Sequence, residues 1–168
     1  MAVYFFDSSA VVKRYVKEKG TVWITGILDP AVGSVVYVVR IAGAEVISAI
    51  ARRKRGDNLA ARDAATAISQ FRREFASVYR IVEITPALVL RAMELAEIHA
   101  LRGYDAVQLA AALEINVQQT SLGKPPVILV SADTELNTAA VAEGLKVEDP
   151  NTHQDESLKP SSSDTVEA

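Results

Sequence analysis

The chain has 168 residues, 49% of them hydrophobic and 6% aromatic, and a formal net charge of −3. That length and apolar content suit one domain with a sizeable aliphatic core, and no apolar run approaches the roughly 18 residues of a membrane span. There is no cysteine, and the only histidines are His99 and His153, so disulfides and thiolate metal sites are excluded and any hydrolytic chemistry must run on acids, hydroxyls and a bound ion. A cytoplasmic protein is the expectation from the cysteine count and from an N-terminus without a charged region ahead of an apolar stretch.

Residues 2–6 form a short apolar run rich in strand formers, stopped by Asp7-Ser8-Ser9, which reads as a buried strand feeding a helix cap. The helix that follows carries Ala10, Val11, Arg14 and Tyr15 and is expected to end at Gly20. A second short helix is expected over 21–28, then a turn at Asp29-Pro30. Residues 34–39 are again continuously apolar, as in a strand covered on both faces. A helix over 41–55 comes next, with a break at Gly56-Asp57-Asn58. Between 59 and 78, Ala64, Ile68, Phe71, Phe75 and Val78 recur three or four apart, which marks an amphipathic helix. Residues 79–84 read as a third strand, and Thr85-Pro86 starts a helix that runs to His99. After the loop at 101–104, Asp105 opens an alanine-rich helix to about Val117. A fourth strand spans 127–130, Asp133 begins a helix stopped by Gly144, and 146–148 is a last edge strand.

Strands alternating with helices imply crossover connections and a parallel sheet. The expected fold is α/β, a three-layer α/β/α sandwich with about five mostly parallel strands, over residues 1–150. The segment 151–168 holds one lysine and four acids, which leaves 17 basic and 17 acidic residues in 1–150. This acidic tail lacks apolar periodicity and is expected to be disordered. The neutral body still contains a basic cluster, Arg52-Arg53-Lys54-Arg55, continued by Arg62, Arg72 and Arg73. Such a patch suits a polyanion and equally suits a solvated helix C-terminus.

Four carboxylates carry the functional reading: Asp7, Glu45, Asp105 and Asp133. Ligands of parallel sheets bind beyond the strand C-termini. Asp7 and Asp133 follow the first and fourth strands and face each other if those strands are neighbours across a switch in strand order. Oxygen ligands suit a hard cation such as Mg²⁺ or Mn²⁺. Three of the four have structural explanations. Asp7 and Asp133 stand at helix N-caps, and Asp105 with Gln108 has the spacing of a capping box. Glu45 has none: it is the only charged residue between Arg40 and Arg52, and a carboxylate on an apolar helix face costs several kcal/mol unless it meets a cation or donors.

The segments Asp7-Ser-Ser-Ala-Val-Val-Lys-Arg-Tyr, Ala44-Glu45-Val-Ile-Ser-Ala-Ile, Leu101-Arg-Gly-Tyr-Asp105-Ala-Val-Gln-Leu-Ala-Ala-Ala and Leu129-Val-Ser-Ala-Asp133 resemble, in order and spacing, the four motifs of PIN-domain ribonucleases, and especially the VapC toxins of toxin-antitoxin pairs. The resemblance covers residues 1 to about 148. It implies a PIN fold and a Mg²⁺-dependent endoribonuclease, with Mn²⁺ as a substitute, in which Asp7, Glu45, Asp105 and Asp133 bind the metal. Ser9 and Ser131 fall where the family often carries a supporting hydroxyl, although many relatives have threonine at the latter position. A hydroxyl in the first helical turn can instead bond backbone, which leaves Ser9 open. Arg14 lies in a stretch that the family keeps basic and can equally snorkel to solvent. The implied partners are an RNA substrate, a VapB-like antitoxin whose C-terminal segment covers the acidic groove, and a second copy of the chain.

Other classes fit less well. A haloacid-dehalogenase-like phosphatase places a second aspartate two residues after the first, where this chain has Ser9. A receiver domain wants an acid after its third strand, where Glu83-Ile-Thr-Pro offers no phosphoacceptor. A catalytically silent PIN-fold module that binds RNA or protein is the non-enzymatic alternative.

Overall fold

The computed structural model describes residues 1–153. Five parallel strands lie in the order β3-β2-β1-β4-β5: β1 is Val3–Phe6, β2 Val35–Val39, β3 Arg80–Val82, β4 Ile128–Val130 and β5 Lys146–Glu148. The first strand pairs with β2 on one side and with β4 on the other, with Phe6 opposite Val130. The order therefore reverses at β1, which is the topological switch the sequence pattern suggested.

The inner strands are apolar along their length because both of their faces are covered. Phe5, Phe6, Val38, Val39, Leu129 and Val130 are each fully buried or nearly so. A fully buried phenylalanine or leucine contributes about 1.5–3 kcal/mol, and these side chains form the centre of the core. The edge strands β3 and β5 are shorter and more exposed, in keeping with their mixed polar and apolar residues.

Seven α-helices connect the strands among the described residues: α1 Ser8–Tyr15, α2 Thr21–Ile27, α3 Ala42–Arg55, α4 Ala61–Ser77, α5 Pro86–His99, α6 Gly103–Ser121 and α7 Thr134–Ala142. Helix α1 packs on α3, α3 on α4, and α5 on α6. The result is the expected three-layer α/β/α arrangement. No helix among the described residues is long and apolar enough to cross a membrane.

Several boundaries differ from the periodicity reading: the third strand, expected over 79–84, is only Arg80–Val82, and the other differences have local reasons. Helix α1 ends at Tyr15, and Gly20 is the N-cap of α2 rather than the stop of α1. The intervening turn is closed by the Glu18 amide donating to Thr21 Oγ1. Helix α6 begins at Gly103, two residues before Asp105, and runs four residues past Val117 because Gln119 turns back into the core. The chain also stays packed past residue 150. A short 3₁₀ turn, Pro150–Thr152, brings Asn151 Oδ1 to Lys13 Nζ at 2.9 Å and stacks His153 on Trp23, with ring centroids 3.8 Å apart. The remainder of the expected tail, 154–168, lies outside the described residues.

That C-terminal clasp rests on Gly20. Its φ is +89°, and a Cβ there would lie 2.5 Å from the Pro150 carbonyl oxygen. Left-handed backbone costs a non-glycine residue roughly 1–2 kcal/mol before any clash is counted. Gly20→Ala is therefore expected to lower the melting temperature by about 4 °C or more, read by circular dichroism. An unchanged melting temperature would mean that the clasp is not part of the folded unit.

Candidate active site at the carboxyl end of the sheet

Asp7 leaves the C-terminal end of β1 and caps α1, its Oδ1 accepting from the Ala10 amide at 2.9 Å. The same carboxylate accepts from Ser9 Oγ at 2.7 Å and, through Oδ2, from Ser131 Oγ at 3.0 Å. Ser131 follows β4, so this contact spans the strand switch. Asp7 is only 4% exposed. Burial is the largest influence on it and pushes its carboxyl up to about 6, against the pull of those three donors; the nearby Glu45 charge adds to the rise.

Both supporting serines are thus placed around Asp7. Ser9 does not bond the backbone of its own helix: it accepts from the Ala132 amide at 2.9 Å while donating to Asp7. Ser131 accepts from the Asp133 amide at 3.0 Å. In turn Asp133 caps α7, accepting from the Leu136 amide at 2.9 Å. Asp7 and Asp133 are helix caps as well as members of the acidic cluster, so the two readings of them are compatible.

Glu45 projects from the first turns of α3 and is partly buried. Its partner is Gln108, whose Nε2 donates to Glu45 Oε1 at 2.9 Å and lies 3.0 Å from Ser8 Oγ. Burial raises the Glu45 carboxyl above its ordinary range, hydrogen bonds from Ser8 and Gln108 oppose the rise, and the charge of Asp105 adds to it. Gln108 is 1% exposed, and its Oε1 is buried without a hydrogen-bond partner. The capping-box reading of Asp105 and Gln108 is therefore replaced: α6 starts at Gly103, its cap residue Arg102 makes no side-chain cap bond, and Gln108 is spent on Glu45 and Ser8.

Asp105 sits in the first turn of α6. Its carboxyl is raised by burial first, then by the charges of Asp133 and Glu135, with Arg102 opposing. The charges that perturb these groups link them in series: Glu45 acts on Asp7, Asp105 on Glu45, and Asp133 on Asp105. The structure brings the four sequence-derived acids into one electrostatic neighbourhood. They are not drawn into a closed cage, since no three His, Asp or Glu side chains among the described residues are grouped as a metal-holding cluster.

Glu45 and Asp105 open into a groove of about 810 Å³, lined also by Ser8, Ser9 and Ala132, by Tyr104 of α6 and its cap residue Arg102, and by Arg52 and Arg53 of α3. Half of the basic cluster seen in the sequence therefore edges the acidic site. Arg53 Nη2 lies 2.8 Å from Glu18 Oε2, while Lys13 Nζ lies 3.2 Å from Glu18 Oε1, so one acid ties both cations at the groove wall. Arg14 turns elsewhere. It pairs with Glu74 at 3.3 Å, beside the Tyr15 hydroxyl, which donates to Glu74 at 2.7 Å. Burial opposes it, but hydrogen bonds from Gln70, Arg14 and Tyr15 hold Glu74 below the usual carboxylate range. Neither histidine lines the groove: His99 bonds Glu143 at 2.7 Å and His153 stacks on Trp23.

The donor set fits a hard divalent cation held through few carboxylates and its own waters. All the site ligands are oxygens, Asp7 and Glu45 have no cation among the groups that shift them, and mutual repulsion of close carboxylates is relieved by a bound ion. Without a cation the repulsion and burial remain. Between its ordinary value of 3.8 and about 6, native Asp7 retains a proton that the unfolded chain has already lost. Stability then falls as pH rises through that window and is flat above it. Chemical denaturation in a chelating buffer is expected to show Asp7→Asn gaining on the wild type from about pH 4 to about pH 6, with a constant gap thereafter; a gap independent of pH would refute the burial argument.

Comparison with known proteins assigns the family. The PIN domain model matches residues 4–142. Ribonuclease VapC45 of Mycobacterium tuberculosis (strain CDC 1551 / Oshkosh) is 33% identical over 147 residues, covering 88% of this chain and 95% of that protein, and Ribonuclease VapC49 of Mycobacterium tuberculosis (strain ATCC 25618 / H37Rv) matches to the same extent. Among solved structures, PAE2754 from Pyrobaculum aerophilum superposes with a TM-score of 0.59 at 22% identity over 90% of this chain and 91% of that one. VapBC2 from Rickettsia felis, bound to a DNA fragment from its promoter, gives 0.57 at 15% identity over 88% and 98%. With its parallel sheet reversing at β1 and its acids gathered beyond the strand ends, the chain belongs to the PIN-domain family.

Proposed function

We propose that the protein is a divalent-metal-dependent endoribonuclease acting as the toxin of a toxin-antitoxin pair. The observation that carries this reading is the groove in which Glu45 and Asp105 face open space, backed by Asp7 and Asp133 and edged by Arg52, Arg53 and Arg102. Acids alone would repel a nucleic acid; acids that hold a cation, rimmed by guanidinium groups, attract its phosphates. The similarity to Ribonuclease VapC45 supports RNA as the substrate class.

Glu45, Asp105, Asp133 and Asp7 would hold the cation, Asp7 chiefly as the buried back of the site. When bound, a Mg²⁺ or Mn²⁺ ion supplies Lewis acidity toward the phosphate and lowers the pKa of a coordinated water. The chain's own residues set the frame. Ser9 and Ser131 hold Asp7 in its orientation, and Gln108 fixes the Glu45 rotamer by donating to it, so the carboxylates need little rearrangement on loading. Arg52 and Arg102 stand where they can meet the phosphates on either side. Hydrolysis by water leaves a 5′-phosphate and a 3′-hydroxyl. Imidazole acid-base cleavage has no groups to run on at this groove.

The partner reading follows from the same geometry. A groove that is acidic at its floor and open at its rim can be covered by a small protein presenting a basic side chain, and solved structures similar to this chain include VapBC2 of Rickettsia felis and FitAcB of Neisseria gonorrhoeae. We infer an antitoxin of that kind, and a cytoplasmic setting for the pair.

Glu45→Gln and Asp105→Asn are each expected to reduce cleavage of an RNA pool at least about 100-fold with the fold retained, and EDTA to do the same to the wild type with recovery on adding Mg²⁺ or Mn²⁺. The ion should also raise the wild-type melting temperature and leave that of Glu45→Gln unmoved. Full cleavage in EDTA, or a 2′,3′-cyclic phosphate product, would exclude the mechanism; RNA binding unaffected by either substitution, with no cleavage by the wild type, would leave a binding module.

A further inference from the structure

The chain has ten aromatic residues: Phe5, Phe6, Phe71, Phe75, Trp23 and five tyrosines. Among the described residues, which include all ten, nine are buried or partly buried, and only Tyr104 is exposed, at 60%. This one exposed ring is also a wall of the acidic groove. It directly precedes Asp105 in the first turn of α6, and Arg102 stands two residues before it at the helix cap. Across the groove on α3 are Arg52 and Arg53, and Arg53 Nη1 is buried without a hydrogen-bond partner.

A single exposed aromatic is ordinary at a protein surface; the place of this ring, on the wall of the acidic groove beside Asp105, is what points to a ligand. What surrounds this one narrows the choice. The neighbouring groups are carboxylates suited to a cation and guanidinium groups suited to phosphate, so a strand that meets them brings its bases to the same place. A flat ring beside an acidic cleavage site is the arrangement that stacks an unpaired base, since every base offers a π-face and aromatic platforms are the common means of holding single strands. A duplex would keep its bases stacked on each other and away from the ring.

Resting on the ribonuclease reading, we propose that Tyr104 is a substrate-positioning residue that stacks on an unpaired base adjoining the scissile phosphate. The phosphate of that nucleotide lies toward Asp105 and Glu45, and its neighbour toward Arg52 and Arg102 at the edge of the groove. Stacking is indifferent to the hydroxyl, so Tyr104→Phe preserves it and Tyr104→Ala removes it. The side chain is a surface one, and neither change touches the core.

The test uses the full chain with Mg²⁺ and fluorescein-labelled oligoadenylate, alongside the same oligomer carrying abasic residues. Cleavage kinetics and fluorescence anisotropy are measured for wild type, Tyr104→Phe and Tyr104→Ala. Tyr104→Ala is expected to weaken binding of the intact oligomer and to raise KM by about ten-fold, with Tyr104→Phe close to wild type. On the abasic oligomer, wild type and Tyr104→Ala should bind alike, which a merely structural or electrostatic role would not produce. Equal binding of the intact oligomer by wild type and Tyr104→Ala overturns the proposal, as when the ring serves only a protein partner; so does an equal loss on both oligomers. A wild type that cuts an RNA pool with Mg²⁺ present but does not bind the oligomer overturns the Tyr104 assignment alone; one that cuts no RNA of the pool overturns the ribonuclease reading, and the Tyr104 assignment falls with it.

Discussion

The site depends on a buried carboxylate at the seam between two parallel strands. Asp7 stands where β1 ends, and Ser131, which reaches it, stands where β4 ends. A charge this deep is costly unless its lone pairs are met. Ser9, Ser131 and the Ala10 amide meet them, and in doing so they fix the start of α1 against the loop that leads to α7. The Asp133 amide is bound by that same Ser131 hydroxyl, so the position of the second strand-end acid follows from the first. Sheet order, two helix caps and the back of the groove are thus one connected set of hydrogen bonds.

Gln108 performs the matching task on the other side. It is a neutral side chain inside a helix of alanine and leucine, fully buried, and it spends its donor on Glu45. A lysine or arginine there would neutralise Glu45 and compete with a cation for it. A glutamine holds the carboxylate in place and leaves its charge available. This explains how an acid on an apolar helix face is tolerated without an ion-pair partner, and why its electrostatic neighbour is another acid, Asp105.

Most of the fold was legible in the sequence because both signals were strong. Continuous apolar runs at β1, β2 and β4 mark strands covered on both faces, and three- to four-residue spacing marks α4. What misled was punctuation. Gly20 reads as a helix stop, yet its positive φ serves the next helix and the approach of Pro150, a contact between residues 130 apart in sequence. The four acids were legible by position, and Glu45 by the lack of a local excuse for it. The capping box at Asp105 was misread because spacing alone cannot tell where a helix begins. Gln108, Ser8 and the pairing of Arg14 with Glu74 were illegible, because each is defined by a partner on a distant element; the polar residue in the apolar run at 106–112 was the only visible hint of the first.

Charge distribution ties the site to its ligand. Residues 1–150 are neutral in sum, so the body exerts little long-range pull on a polyanion, and attraction has to be local. It is arranged at the groove, where Arg52, Arg53 and Arg102 stand beside Glu45 and Asp105. Under the proposed function, a cation held by these acids would add to that local attraction for phosphate. Glu18 tempers it, since it pairs with both Lys13 and Arg53 at the groove wall. Affinity for the strand then has to be shared between that local charge and the one exposed aromatic ring.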